Sequence, residues 1–170
     1  MTRDTFCSYC GTAFEPPLAY PRTCAKCKTT IWANPVPVVV ALVPIVREGR
    51  TGLLVVRRGV EPGRGKLALV GGFLEAHETW QAGAAREVRE EVGVTIDASR
   101  LEPFHFVSTH PRPNRVLLFS LAPAMDERAL EPFVPNEEAV ERNVVFAEDG
   151  FADFAFDLHV EVARRFFASR

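Results

Sequence analysis

Glu90 and Glu91 follow Glu87 by three and four positions in the stretch Arg86-Glu-Val-Arg-Glu-Glu91. A helix turns about 100° per residue, so these spacings bring all three carboxylates onto one face. Left alone they repel, by about 0.2–0.5 kcal/mol per pair. A hard divalent cation such as magnesium or manganese turns that repulsion into binding, because it takes carboxylate oxygens and keeps positions open for phosphate oxygens and water. The spacing points to metal-assisted chemistry on a phosphorylated ligand. The bland alternative is a surface helix with a solvated acidic face.

The elements that must hold these groups are legible around them. Trp80, Ala84, Val88 and Val92 recur every four residues and predict an amphipathic helix with an apolar seam opposite the acids. Gly93 fits the left-handed position just past its last turn. Before the helix, Leu67-Ala-Leu-Val70 reads as a short buried strand, and Gly71-Gly72 as a tight turn leading out of it.

Gly72, five residues, Glu78, seven residues, then Arg86-Glu-Val-Arg-Glu-Glu-Val-Gly-Val94 resembles the signature of the Nudix hydrolases at every fixed position. The resemblance implies an α+β fold, an α/β/α sandwich around a mixed sheet. It also implies attack by water on a diphosphate linkage in a nucleoside diphosphate joined to another group. Carried over residue by residue, Glu87, Glu90 and Glu91 are carboxylates for Mg2+ or Mn2+, and the Gly72 carbonyl is a further ligand. Arg86 orients a glutamate, Glu78 supports the loop, and Glu75 is a weaker candidate within it. The family commonly uses one more glutamate nearer the C-terminus. Glu138 is the first candidate for that ligand or base, with Glu137 and Glu141 as alternatives. Where many relatives have Glu-x-Gly-Glu, this chain has Glu75-Ala-His77-Glu78, and Val70 replaces a frequent proline. His77 restricts the loop backbone but removes no carboxylate.

A second constellation is Cys7-x-x-Cys10 with Cys24-x-x-Cys27, which uses all four cysteines. Four thiolates surround zinc tetrahedrally and leave no open position, so the expected role of Zn2+ is structural. The alternative, two disulfides, needs an oxidising compartment, and the residues from Met1 to Phe6 form no apolar signal segment. A ribbon of this kind also admits a different function, a nucleic-acid-binding module with a vestigial second domain. Arg3, Arg22, Lys26 and Lys28 against Asp4 and Glu15 make a thin patch for phosphate backbones. Phe6, Tyr9, Phe14, Tyr20 and Trp32 are read as packing, since so small a unit has little core of its own.

A zinc ribbon (1–35) followed by a Nudix domain (36–170) resembles NADH pyrophosphatases and other zinc-ribbon Nudix enzymes acting on FAD or ADP-ribose. NADH pyrophosphatases carry Ser-Gln-Pro-Trp-Pro-Phe-Pro after the signature, whereas this chain reads Thr109-His-Pro-Arg-Pro-Asn-Arg115. Arg112 and Asn114 replace the aromatics, so a nicotinamide-stacking surface is lost and an anion-binding one gained. The expected substrate is ADP-ribose or an FAD-like dinucleotide, with NADH or NAD-capped RNA second. His110 and Arg112 are candidate substrate contacts. The loop from Arg57 to Lys66 supplies more, Arg57 and Arg64 foremost, with Arg58 and Lys66 beside them.

The remaining pattern fits this reading. Pro35-Val-Pro37 marks the boundary, Val38 to Val46 reads as one strand buried on both faces, and Arg47 to Thr51 as a turn. Leu53–Val56, Phe104–Ser108, Arg115–Ala122 and Val144–Phe146 are the other expected strands. Asp157 is expected to cap a terminal helix that packs on the sheet or on a second copy of the chain. A net charge of −2 gives no pull toward nucleic acid or anionic membrane, and no apolar run approaches the roughly 20 residues that span a bilayer. Cytoplasm is the expected location.

Overall fold

Residues 39–43 are buried without exception, yet they serve two cores. Val39, Ala41 and Val43 pack with Ala84, Val88 and Val92, while Val40 and Leu42 pack with Val162, Ala163 and Phe166. Successive side chains of a strand point to opposite faces, so an all-apolar strand is what a sheet covered on both sides requires. The covers are helix α1 (Trp80–Val92) and helix α2 (Asp157–Ala168), which makes the expected α/β/α sandwich.

The computed structural model describes residues 5–16, 18–109 and 114–169, and the chain divides into two compact units, Met1–Pro35 and Val36–Arg170. In the first unit β1 (Arg22–Thr23) pairs antiparallel with β2 (Thr30–Ile31). The second unit holds β3 (Val36–Leu42), β4 (Pro44–Arg47), β5 (Arg50–Arg58), β6 (Leu67–Phe73), β7 (Glu102–Ser108), β8 (Arg115–Leu121), β9 (Met125–Asp126) and β10 (Ala139–Val145). Their order is β7-β8-β3-β6-β5-β4-β9, with β10 added on β5. The β3–β8 and β4–β9 pairs are parallel and the rest antiparallel, so the sheet is mixed. Among the described residues no helix is long and apolar enough to cross a membrane.

Three expectations are corrected. Val38 to Val46 is not one strand: the chain changes partners after Leu42, from β6 and β8 to β5 and β9, and Pro44 has no N–H to continue a ladder. Gly71-Gly72 does not turn but carries β6 on to Phe73, because these two positions need close approach. A Cβ on Gly71 would strike the Val39 backbone, and one on Gly72 would lie 2.5 Å from Glu87 Oε1. Asp157 is the first residue of α2 rather than its cap; Phe156 precedes it without a side-chain cap bond, and the acid sits in the first turn where the helix dipole favours it.

Helix α1 begins where Thr79 Oγ1 accepts the Ala82 N–H at 3.2 Å and ends at Gly93, whose φ of 69° lets its N–H return to Arg89 O. In the loop before it, His77 has φ 75°, a conformation that glycine adopts without cost. His77→Gly is therefore expected to hold or raise stability by up to about 1 kcal/mol, while β-branched His77→Val loses about 1–2 kcal/mol. Thermal melts of the two variants check the difference.

Candidate functional site

Strand β6 anchors the site through its backbone. On alternate residues Leu67, Leu69 and Gly71, the N–H groups donate to the Asp153 carbonyl (2.9 Å), His159 Nδ1 (3.1 Å) and the Glu91 carboxylate (3.1 Å). Glu91 comes from the buried face of α1, and Glu87 lies one turn earlier against Gly72. A glycine is needed there, since any side chain would displace the Glu87 carboxylate. Burial pushes the Glu91 carboxyl up to about 8, a rise that Glu87 and Glu138 reinforce and the Gly71 bond opposes. Glu87 is also raised, by burial first and by Glu90 and Glu138, against the pull of Arg86.

Arg86 is the hub beside them. Its guanidinium meets Glu78 through Nε (3.2 Å) and Nη2 (2.8 Å), Glu87 and Glu90 through Nη1 (2.7 and 3.1 Å), and the Phe73 carbonyl (3.0 Å). These bonds, Glu78 foremost, hold it charged. Glu78 also accepts the Glu75 N–H at 2.8 Å, so it ties the loop to the helix.

Glu138 reaches the cavity from the segment before β10. Asn136 places it: Nδ2 donates to the Glu90 and Glu91 carbonyls (3.0 and 3.3 Å), and Oδ1 accepts the N–H of Glu138 (3.0 Å) and Ala139 (2.8 Å). On the other side Gly59 N–H donates to Glu138 O at 2.7 Å. Nothing in the spacing of Asn136 marks it in the sequence as a residue that closes a 46-residue gap.

Of these groups, Arg86, Glu87, Glu90, Glu91 and Glu138 line a cavity of about 940 Å3 in the second unit. Seven carboxylates face it, Glu61, Glu75, Glu87, Glu90, Glu91, Glu138 and Asp157, against Arg58, Arg86 and Arg115. That balance has the wrong sign for a diphosphate unless cations enter as well. A divalent ion therefore fits the donors present. Among the described residues, however, the four cysteines are the group close enough to share one ion as they stand, and Arg86 partly occupies Glu87 and Glu90.

The cavity takes Arg58 rather than the expected Arg57 and Arg64. Arg57 is locked into Glu141 (2.6 Å), Asp153 (2.8 Å) and the Gly65 carbonyl (2.8 Å), which also removes Glu141 from the candidate ligands. Neither Arg64 nor Glu137 lines the cavity. Arg58 stacks over Phe156 at 5.1 Å and donates Nε to Pro62 O, and Arg115 stacks over Phe73 at 4.9 Å; neither has a carboxylate partner among the described residues. The expected contacts His110 and Arg112 lie outside the described residues.

Nothing in the sequence singles out His159. Burial, with Arg58 nearby, depresses its pKa to about 3. Below pH 6.5 the unfolded chain takes up a proton that the folded imidazole refuses, so its contribution to stability is full above 6.5 and falls as pH drops toward 3, by about 1.4 kcal/mol per pH unit at most. His159→Gln keeps an acceptor for Leu69 and does not titrate. Urea unfolding at pH 7 and pH 5 is expected to show a smaller acid loss in this variant than in the parent.

In the first unit the two cysteine knuckles are built alike. Gly11 N–H returns to Cys7 O and Cys7 N–H to Thr12 O, just as Lys28 N–H returns to Cys24 O and Cys24 N–H to Thr29 O. Gly11 (φ 70°) and Lys28 (φ 62°) hold the same left-handed turn. The Cys7–Cys27 and Cys10–Cys24 sulfurs are 3.7 and 3.6 Å apart, and all four lie within 4.8 Å. Sulfurs about 2.3 Å from a tetrahedral zinc are about 3.8 Å apart, whereas a disulfide needs about 2 Å. The thiols are free, and the two spacings suit neighbouring ligands of one zinc. Hydrogen bonds from Thr12 bring Cys10 down to about 6, and Thr29 lowers Cys27, which favours thiolates; burial raises Cys7.

A model of the NUDIX domain matches residues 36–166. The chain belongs to the NUDIX family. Similar proteins include the NAD-capped RNA hydrolase NudC of Deinococcus radiodurans, 30% identical over 114 residues, or 66% of this chain and 39% of that protein. The chain thus spans well under half the length of this curated relative. A NUDIX hydrolase from Nitrosomonas europaea superimposes with a TM-score of 0.69 at 27% identity, over 98% of this chain and 92% of that one. The NUDIX domain of Shewanella oneidensis NrtR, solved with ADP ribose, gives 0.64 at 20% identity over 79% and 89%, a likeness of fold.

Proposed function

We propose that this NUDIX chain is a divalent-metal-dependent pyrophosphohydrolase that splits the diphosphate of ADP-ribose or an FAD-like dinucleotide. The observation that carries the reading is the convergence of Glu87, Glu91 and Glu138 in a negative cavity beside the Gly72 backbone. Glu87, Glu90, Glu91 and Glu138, with the Gly72 carbonyl, would hold Mg2+ or Mn2+. The bound ion supplies charge neutralisation on the diphosphate and a lower pKa for water. Water oxygen then bonds to phosphorus, the bridging P–O bond breaks, and a carboxylate accepts the proton. Arg86 keeps Glu87 and Glu90 aimed, while Arg58 and Arg115, unspent on carboxylates, meet phosphate oxygens. In the first unit the cysteines hold structural Zn2+.

The similarity to an NAD-capped RNA hydrolase favours a second reading, cleavage of NADH or NAD-capped RNA. A panel of ADP-ribose, FAD, NADH and NAD-capped RNA with magnesium or manganese, read by product identity, decides. ADP-ribose or FAD is expected to be turned over fastest; faster cleavage of NADH or capped RNA selects the second reading. No phosphate-bond cleavage, together with tight RNA binding, returns the chain to a binding module.

A further inference from the structure

At the apolar end of the cavity, His159 presents one ring nitrogen that the protein itself does not use. Its Nδ1 accepts the Leu69 N–H at 3.1 Å, so in the neutral ring the proton is on Nε2. Among the described residues Nε2 has no hydrogen-bond partner, although His159 is only 7% exposed and lines the cavity. The ring is fixed edge-on between Phe119 (centroids 5.7 Å) and Phe156 (5.0 Å). Around it the wall is apolar, with Val38, Val40, Leu69, Leu117 and Leu158. Nε2 is not sealed off but opens on the cavity, so it is a fixed donor that water can occupy and that a ligand acceptor can take over.

We propose that His159 is a specificity-determining residue whose Nε2–H donates to a ring-nitrogen acceptor of the substrate's nucleobase, the base lying against the Phe156 and Leu117 wall. The wall suits a flat heteroaromatic ring, and the single donor selects its edge. Strand β6 sets the spacing. It anchors His159 at Leu69 and Glu91 at Gly71, two residues or about 7 Å apart along the strand, so base and diphosphate are registered on one ruler. Depression of the His159 pKa agrees with this role, since the ring stays neutral and keeps its Nδ1 lone pair for Leu69. The inference rests on the proposed function for its choice of adenine as the base.

Atom deletion in the ligand tests it without disturbing the fold. Calorimetric binding of AMP and its 1-deaza, 3-deaza and 7-deaza analogues to the full chain is expected to show one analogue weakened by about 10- to 100-fold and the other two by less than about 3-fold. In His159→Gln and His159→Phe, each first shown to be folded by its melting transition, AMP binding weakens. With His159→Phe the discrimination among analogues also disappears. Equal affinities for all four ligands, no binding of AMP, or the same discrimination in His159→Phe overturns the assignment. Turnover separates the two claims: discrimination without hydrolysis of any diphosphate substrate sinks the proposed function alone, and hydrolysis of ADP-ribose without discrimination sinks the His159 assignment alone.

Discussion

Glu91→Gln is expected to lower kcat on ADP-ribose by about 1,000-fold or more while raising the melting temperature of the metal-free protein. The two halves of this result have one cause. The Glu91 carboxylate is largely desolvated, receives a single backbone N–H from Gly71, and faces Glu87 and Glu138 of like charge. In the fold alone these carboxylates are a liability: burial makes Glu91 either take up a proton or hold a desolvated charge beside like charges, and an isosteric amide escapes both costs. For the reaction they are the means of holding cations against a diphosphate, and loss of several kcal/mol of charge stabilisation corresponds to such a factor in rate. Glu87→Gln should behave alike. Magnesium or manganese should raise the melting temperature of the parent and do much less for either variant. Kinetics and melts with and without metal check this. A Glu91→Gln enzyme that turns over at the parental rate ends the proposed reaction.

The same residues show what a sequence makes visible. Helix α1 was legible because each feature it needs is local: the Trp80–Ala84–Val88–Val92 seam, Gly93 at its end, and the acids within one turn. The two-sided burial of β3 was legible too, since only a sheet covered on both faces accepts so long an apolar run. What failed was whatever depends on partners distant in the chain. Whether β3 continues past Leu42 depends on which strands lie beside it, and whether Gly71-Gly72 turns depends on Val39 and Glu87 lying close. The arginines teach the same lesson. Arg57 and Arg58 are adjacent and chemically identical, but strand alternation gives one to Glu141 and Asp153 and the other to the cavity. His159 and Asn136 carry no local signature, because their roles are bonds to Leu69 and to the end of α1.

Stripping zinc, or replacing buried Cys24 by serine, is expected to unfold the first unit. Its described regular structure is the two-residue pair of β1 and β2 and two cysteine knuckles, with Cys7 and Cys24 as its buried hydrophobic side chains. So small an apolar interior does not offset the entropy of ordering about 30 residues. Zinc in comparable four-ligand sites contributes about 10–16 kcal/mol at neutral pH, which exceeds anything else this unit has. The sulfur spacings of 3.6 and 3.7 Å match two edges of a closed tetrahedron and all four sulfurs lie within 4.8 Å, so binding needs only a small contraction. Metal analysis should find one zinc per chain, and amide exchange should show residues 5–35 losing protection in Cys24→Ser or after chelation and regaining it, in the parent alone, when zinc returns. Protection that survives chelation would mean the knuckles hold themselves. The turns that make them would then owe their shape to the paired Cys7–Thr12 and Cys24–Thr29 backbone bonds rather than to a metal.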